Sequence, residues 1–321
     1  NRFMDTSERL LHALRTWHKM PAAALLEHLG VSRATLMRAV HALGPQVVAL
    51  GKARRTAYAA RRSVRGQLQA IPLYRIDEQG RPHESAVLHP LHPHGCAGSF
   101  TEPSAWPLDD EGGMADGWFE GLPYMLDDMH PQGFLGRHFA RHHAALLQVA
   151  PDPKDWSEDD VLHALTLLGH DQVGHYVLGE PALRRFLDGS QQGERAVQDA
   201  DVAAVYARQA NEAMGFGLPG SSAGGEFPKF TAFREVGNVA GHQAHVIVKF
   251  SGSDASPGTV RWSDLLVCEH LALCAVASHL EVQAAVSRVF QADGRTFLEV
   301  ERFDRHGRLG RSAVCSWAAL N

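Results

Sequence analysis

A lysine stands inside the apolar run Val246-Ile247-Val248-Lys249-Phe250, where an ammonium is costly to bury unless an anion meets it. Strand alternation puts Val246, Val248 and Phe250 on one face and Ile247 and Lys249 on the other. Upstream lies a glycine-rich loop, Gly220-Ser221-Ser222-Ala223-Gly224-Gly225. Where Cβ atoms are absent, backbone N–H groups can approach phosphates and donate to them. Downstream, Glu269 is the only carboxylate between Leu265 and Leu280, with Asp264 just outside. A helix glutamate that pairs with a strand lysine fixes that lysine on a nucleotide's phosphates. The alternative is an edge-strand lysine that reaches water.

Other chemistry fits less well. Gly220-Ser221-Ser222-Ala223-Gly224 matches the nucleophile elbow G-x-S-x-G, but an elbow needs a strand before it and a helix after it. Here a helix and Pro219 precede, and Pro228 and a strand follow. His89-Pro90-Leu91-His92-Pro93-His94-Gly95-Cys96 has zinc-ligand types without a second pair at zinc spacing. His138 and His142 lack the glutamate of a metalloprotease helix. No metal site is expected in the chain itself. Asp152, Asp155, Glu158, Asp159 and Asp160 read as helix-start charges favoured by the dipole.

The elements that must position Lys249 follow from periodicity. Phe230–Glu235, a Gly237-Asn238 turn and His245–Phe250 form one hairpin, preceded by a helix from Asp201 to Met214. A helix is expected from Asp264 to Leu280. Val289–Ala292 and Thr296–Val300 flank Asp293-Gly294, a strong hairpin signal, and the strand runs on into Arg302-Phe303-Asp304-Arg305. Loop, lysine strand, glutamate helix, hairpin and strand make the order of a kinase N-lobe. Earlier, residues 70–110 alternate short strands such as Ile71–Ile76 with Pro, His and Gly, and residues 118–149 are partly helical. A helix from Trp156 to Leu168 is capped by Ser157, and Gln191–Gln198 reads as a polar linker.

At the front, residues 6–18 read as a helix, and Pro21 suits the first turn of a second one. Gly30 ends that helix and Ser32 caps a third, Arg33 to Leu43, which is a helix-turn-helix. Val47–Leu50 and Thr56–Ala59 flank a basic turn as a wing. Arg33, Thr35 and Arg38 lie outside the stripe of Leu36, Val40 and Leu43, where they can meet base edges in a major groove. Lys52, Arg54 and Arg55 would neutralise phosphates, with Arg61, Arg62 and Arg65 as further candidates.

Charge agrees. The net −5 divides into +9 over residues 1–65 and −14 over the remainder, so a polyanion partner is expected for the front alone. With 45% hydrophobic and 21% charged residues, 321 residues suit two or three globular domains. No apolar run approaches bilayer length, and Asn1-Arg2-Phe3-Met4-Asp5 lacks the plan of a secretory signal; cytoplasm and no membrane partner are expected. Cys96, Cys268, Cys274 and Cys315 form no C-x-x-C pair and read as buried free thiols.

Ser221-Ser222-Ala223-Gly224, Ile247-Val248-Lys249, Glu269 and Val300-Glu301-Arg302-Phe303-Asp304-Arg305, in this order, resemble the HipA-like bacterial protein kinases. Leu126–Gly133 and Leu165–Gly174 are similar to two further segments of that family, and the likeness runs from about residue 70 onward. With a winged helix in front, the chain resembles the YjjJ-type branch, in which kinase and DNA-binding module share a chain. The resemblance implies an α+β chain: a winged helix-turn-helix at 1–65, a HipA-like N-terminal subdomain at 66–195 and a kinase-like N-lobe at 196–321. It implies phosphorylation of serine or threonine on a protein substrate with ATP and Mg2+, and an antitoxin or self-association as further partners. Lys249 would bind phosphates and Glu269 would orient it. Ser221, Ser222, Ala223, Gly224 and Gly225 would cover the nucleotide, and backbone near Glu301 and Phe303 would hold adenine. Ser221 or Ser222 would be autophosphorylated, ejecting the loop. Ser222, Gly225 and Glu226 depart from the commoner Ala-Gly-Ala-Gln pattern, which leaves the modified serine open.

The aspartate facing the substrate hydroxyl lies, in that family, in a helical C-lobe, and no such segment follows Arg305. The 321 residues alone are therefore expected to hold nucleotide at most. The rival reading is a transcription regulator whose body senses a ligand. Radiolabel passing from ATP to Ser221 or Ser222 in the complete protein would separate the two. Turnover by this chain alone would contradict the expectation of inactivity.

Overall fold

Asp5 forms a capping box with Glu8 and so starts α1 (Thr6–Trp17). This computed structural model describes residues 5–51, 55–100, 117–192, 195–215, 225–236 and 242–319. Its mixture of helices and strands is α+β, as expected. After α1 come β1 (Lys19–Pro21) and α2 (Ala22–Leu29), which Gly30 ends with φ at 63°. Ser32 caps α3 (Arg33–Leu43) by accepting from the Thr35 N–H. β2 (Val47–Leu50) and β3 (Ala57–Ala60) pair, and β1 completes a sheet of order β1-β3-β2. Leu10, Leu14, Leu25, Leu36 and Tyr58 meet in the core of this front part. Pro21 closes an edge strand, where a missing N–H is tolerated, and does not enter α2 as the sequence suggested.

The chain continues through β4 (Ile71–Ile76), β5 (Pro82–Pro90), β6 (Cys96–Phe100) and β7 (Trp118–Phe119). α4 (Gly133–Leu147), α5 (Glu158–Leu168), β8 (Tyr176–Leu178) and α6 (Glu180–Gln192) follow. The five strands form an antiparallel sheet of order β7-β6-β5-β4-β8. Leu73, Leu88, Leu126, Leu162 and Leu165 share its core. Trp156 stays outside α5 because its indole N–H donates to Ala150 O at 2.7 Å, and Ser157 caps the helix. The supposed linker from Gln191 begins as the last turn of α6, whose Ala182, Leu183 and Phe186 are buried. Arg62 pairs with Glu158 at 2.8 Å and Asp159 at 3.0 Å, and Arg65 pairs with Asp160. Arg61 donates to Pro45 O. Arg62 and Arg65 therefore tie the front to the first turn of α5, while Arg61 is held within the front.

The last part holds α7 (Val202–Gly215), β9 (Lys229–Glu235), β10 (Gln243–Phe250), α8 (Pro257–His279), β11 (Ser287–Ala292) and β12 (Arg295–Glu301). The sheet order is β11-β12-β10-β9, followed by a small ribbon of β13 (Arg305–His306) and β14 (Gly310–Arg311). Asp293 and Gly294 take φ of 48° and 69°, the left-handed pair that a tight hairpin turn needs. α8 begins at Pro257, ahead of the expected Asp264, because Ser256 caps it and proline suits a first turn. Of its residues only Leu266 is buried. Cys268 and Cys274 are consequently exposed and Cys315 is half-buried, so only Cys96 is the buried thiol expected. No helix among the described residues is long and apolar enough to cross a membrane.

A buried charge cluster joins the last part to the one before it. Asp304 receives Arg302 through two bonds of 2.9 and 2.8 Å and Arg305 through one of 2.6 Å. It also accepts from the Gly174 N–H at 3.0 Å, while Arg305 reaches Asp171 at 3.0 Å and Gln172 O at 2.7 Å. Burial alone would raise the Asp304 carboxyl, but Arg302 and Arg305 hold it down at about 2. Its contribution to stability is complete above about pH 4 and is lost as acid carries the pH down through about 2. Asp304→Ala leaves two buried guanidinium groups short of a partner and is expected to cost about 3–5 kcal/mol. A urea midpoint equal to that of the parent chain would refute this.

Candidate functional site

Lys249 lies near the end of β10, on the face opposite buried Val246, Val248 and Phe250, as alternation predicts. Its Nζ donates to both oxygens of Glu269 on α8, at 2.6 and 2.8 Å. The two side chains are 23% and 38% exposed, so their pairing adds little stability, but it fixes the ammonium in place. Directly across the ladder, Lys229 pairs in register with Lys249. Its residue is 2% exposed, and Nζ donates to Gly225 O at 3.1 Å. Burial and then the like charge of Lys249 push its ammonium down to about 8, against the pull of Glu269 and Glu226. Sequence reasoning missed Lys229 by starting the strand at Phe230. The available signal was the alternation Lys229, Thr231, Phe233 opposite Lys249, Ile247, His245.

Both lysines line a cleft of about 300 Å3. Val173, Ile247, Ala285, Val300 and Val314 make its apolar walls. Glu301 and Phe303, expected from the sequence, line it too. The Glu301 N–H is committed to Val286 O at 2.9 Å and the Arg302 N–H to His245 O at 2.9 Å. Backbone contact from Glu301 to a ligand is therefore left to its carbonyl. Phe303 projects outward, 73% exposed. The two lysines make one end of the cleft cationic, the aliphatic residues make its walls, and Glu301, Arg302 and Asp304 also border it.

Ser221, Ser222, Ala223 and Gly224 lie outside the described residues. Gly225, with φ at 95°, stands at the root of that loop. Its carbonyl accepts from the Phe134 N–H at 2.9 Å as well as from Lys229. Gly133 of α4 lies so near that a Cβ there would stand 2.4 Å from Gly225 O. Arg137 pairs with Glu226, and Phe227 packs against Trp262 with the rings tilted and their centroids 4.6 Å apart. The loop root is thus clamped between α4 and α8.

On α3, Arg33 and Arg38 are exposed. Ser32 Oγ contacts Thr35 Oγ1 at 3.0 Å, and Arg38 Nη2 donates to that same hydroxyl at 3.2 Å, giving one polar row. Arg55 is exposed, and Lys52 and Arg54 lie outside the described residues. Cys96 sits apart from all of this, its thiol pushed up to about 12 by burial and its Sγ donating to Gly121 O.

Comparison with known proteins adds three likenesses. Residues 67–187 match a model of the YjjJ-like toxin middle domain, and residues 221–321 match the HipA-like C-terminal domain. Toxin YjjJ of Escherichia coli (strain K12) is 35% identical over 300 residues, which cover 93% of this chain. The chain spans 64% of the length of that relative.

The depressed Lys229 is open to measurement. In competitive acetylation read by mass spectrometry, its half-maximal reactivity is expected near pH 8, below the ordinary lysine value of about 10.4. Lys249→Met removes a like charge and is expected to move that midpoint upward. A midpoint near 10.4 in the parent chain would contradict the burial seen here.

Proposed function

The chain belongs to the HipA-like toxin family, in its YjjJ-type branch, and on that premise we propose that the Lys229–Lys249 cleft binds ATP as part of a protein serine/threonine kinase. The observation that carries this reading is the placement of Lys249, held by both oxygens of Glu269 next to a second buried lysine. Two ammonium groups at one end of an apolar cleft suit a triphosphate whose base lies between aliphatic walls. The Glu301 carbonyl and the Phe303 N–H would meet the adenine edge, and the loop from Ser221 would cover the phosphates from its root at Gly225. Glu269 and Asp304 are already committed to Lys249 and to arginines, so Mg2+ would arrive held on the nucleotide's phosphates. When bound there, it offsets the charge that develops on the transferred phosphoryl group. Holding the nucleotide is what these residues account for; transfer to a protein hydroxyl, and autophosphorylation of Ser221 or Ser222, are proposals about the whole protein.

The same reading divides the chain into a winged helix-turn-helix at 1–65, a HipA-like subdomain at 66–195 and a kinase N-lobe at 196–321. DNA would meet the row of exposed Arg33 and Arg38 with half-buried Thr35 between them, and Arg55 would lie on the backbone. An antitoxin would be a further partner of a toxin-family chain.

Calorimetry with MgATP tests the central claim. Lys249→Ala and Lys229→Ala are each expected to weaken binding about tenfold or more, the size of a lost charge-assisted hydrogen bond. Glu269→Gln is expected to weaken it too, while changing stability by less than about 1 kcal/mol. Unchanged affinity in Lys249→Ala would sink the reading. Duplex-DNA binding is expected to fall steeply with salt and to lose about 1–3 kcal/mol in Arg38→Ala. Failure to bind any duplex at low salt would remove the DNA-binding part alone.

A further inference from the structure

On the same sheet face as Lys249, but toward the other end of β9 and β10, Thr231, Phe233 and His245 floor a second cavity of about 250 Å3. Its walls come from α6 and from the segment after β12. Five arginines line it, Arg185, Arg302, Arg305, Arg308 and Arg311, against the single lining carboxylate of Asp171. Asp304, just behind, is shared by Arg302 and Arg305. Positive charge therefore exceeds negative even when both acids are included.

The excess falls on three residues. Arg311 is 5% exposed, rests on the Phe186 ring at 4.8 Å and donates to His170 O at 2.6 Å. Asp171 comes no nearer to it than 3.9 Å, and its Nη1 is buried without a hydrogen-bond partner among the described residues. Arg185 and Arg308 are exposed and make no ion pair among the described residues; Arg308 has a long 3.4 Å bond to Gly189 O. Burial, and then repulsion from Arg305, pushes the Arg311 guanidinium down to about 9. An anion in the cavity would reverse that repulsion.

We propose that this cavity binds a phosphate group, free or as the monoester of a small molecule, between Arg311 within and Arg185 and Arg308 at the entrance. Guanidinium forks match the oxygen geometry of phosphate and can share one phosphate among several donors. Only Ala232 and Leu309 give it aliphatic walls beside its five arginines, so the lining favours a phosphate with a short attachment over a nucleotide base. His245 and Lys249 are four positions apart on β10, about 13 Å of strand, which separates this site from the cationic end of the other cleft. Arg302 borders both cavities. The proposal stands whether or not the other cleft binds ATP.

Phenylglyoxal labelling of arginine, read by mass spectrometry, locates the site. Inorganic phosphate, compared with chloride at equal ionic strength, is expected to slow labelling of Arg185 and Arg308 several-fold. Arg81 and Arg208, exposed elsewhere at 68% and 65%, should be unaffected. Glycerol phosphate in place of inorganic phosphate separates the two sources, since stronger protection assigns the organic monoester and equal protection the free anion. Protection should persist in Lys229→Ala with Lys249→Ala. In Arg185→Glu with Arg308→Glu, phosphate should no longer raise the melting temperature, while MgATP affinity stays at the parent value. Protection that is absent, spread evenly over all four arginines, or lost with the two lysines would overturn the proposal.

Discussion

Asp304 is the constraint on which the rest of the arrangement turns. Its carboxylate draws Arg302 and Arg305 inward and holds the Gly174 N–H, so the chain leaving β12 is pinned to the turn that follows α5. Such a cluster is not required for stability, because well-packed apolar residues of the same volume would do as well or better. Its effect is on position. With Arg302 and Arg305 turned inward, Glu301 and Phe303 are left at the rim of the cleft and Val173 is brought up to form its wall. A slip of one residue here would turn Phe303 into the protein and expose an arginine.

The four-stranded sheet then works through its two faces. Val246, Val248, Phe250, Phe230 and Phe297 pack under Tyr206 of α7, whose hydroxyl donates to Glu299 at 2.6 Å while buried Arg234 donates to that same carboxylate at 2.6 Å. That face holds the strands still. The opposite face carries Lys229, Thr231 and Phe233 beside Lys249, Ile247 and His245, and it is open at both ends. One end gathers lysines and the other arginines. α8 lies across the sheet on a narrow stripe, with Val260, Leu265, Val267 and Leu271 left exposed. Glu269 is therefore carried by the least covered helix of this part, and the Lys249 bond depends on where that helix lies.

What could be read beforehand was local. The caps at Ser32 and Ser157, the Asp293-Gly294 turn and the two faces of β10 each depend on neighbours a few positions away, and each was found where expected. The Lys249–Glu269 pair is longer in range, but a lone acid on an apolar helix leaves few choices for a lone lysine on an apolar strand. What escaped was set by distant partners. Lys229 was hidden behind Pro228 at a strand start, and β1 is too short to show a period. The destinations of Arg62, Arg65 and Arg305 depend on acids far away in sequence. An apolar helix suggested buried cysteines at 268 and 274, yet periodicity says nothing about how much of a helix its neighbours cover.

The basic front and the acidic body can now be placed on one physical path. Arg62 and Arg65 leave the front and grip Glu158, Asp159 and Asp160 at the first turn of α5, where acids are favoured by the helix dipole as well. α5 runs from Glu158 to Leu168, about 16 Å of rigid rod, and its end leads through Gly169 and His170 to Asp171. Asp171 holds Arg305, and Arg305 holds Asp304. These ion pairs and one helix form a contiguous series of contacts from the front to the segment after β12. Arg62 and Arg65, named as further candidates for phosphate contact, thus join the front to the helix that leads toward the cleft.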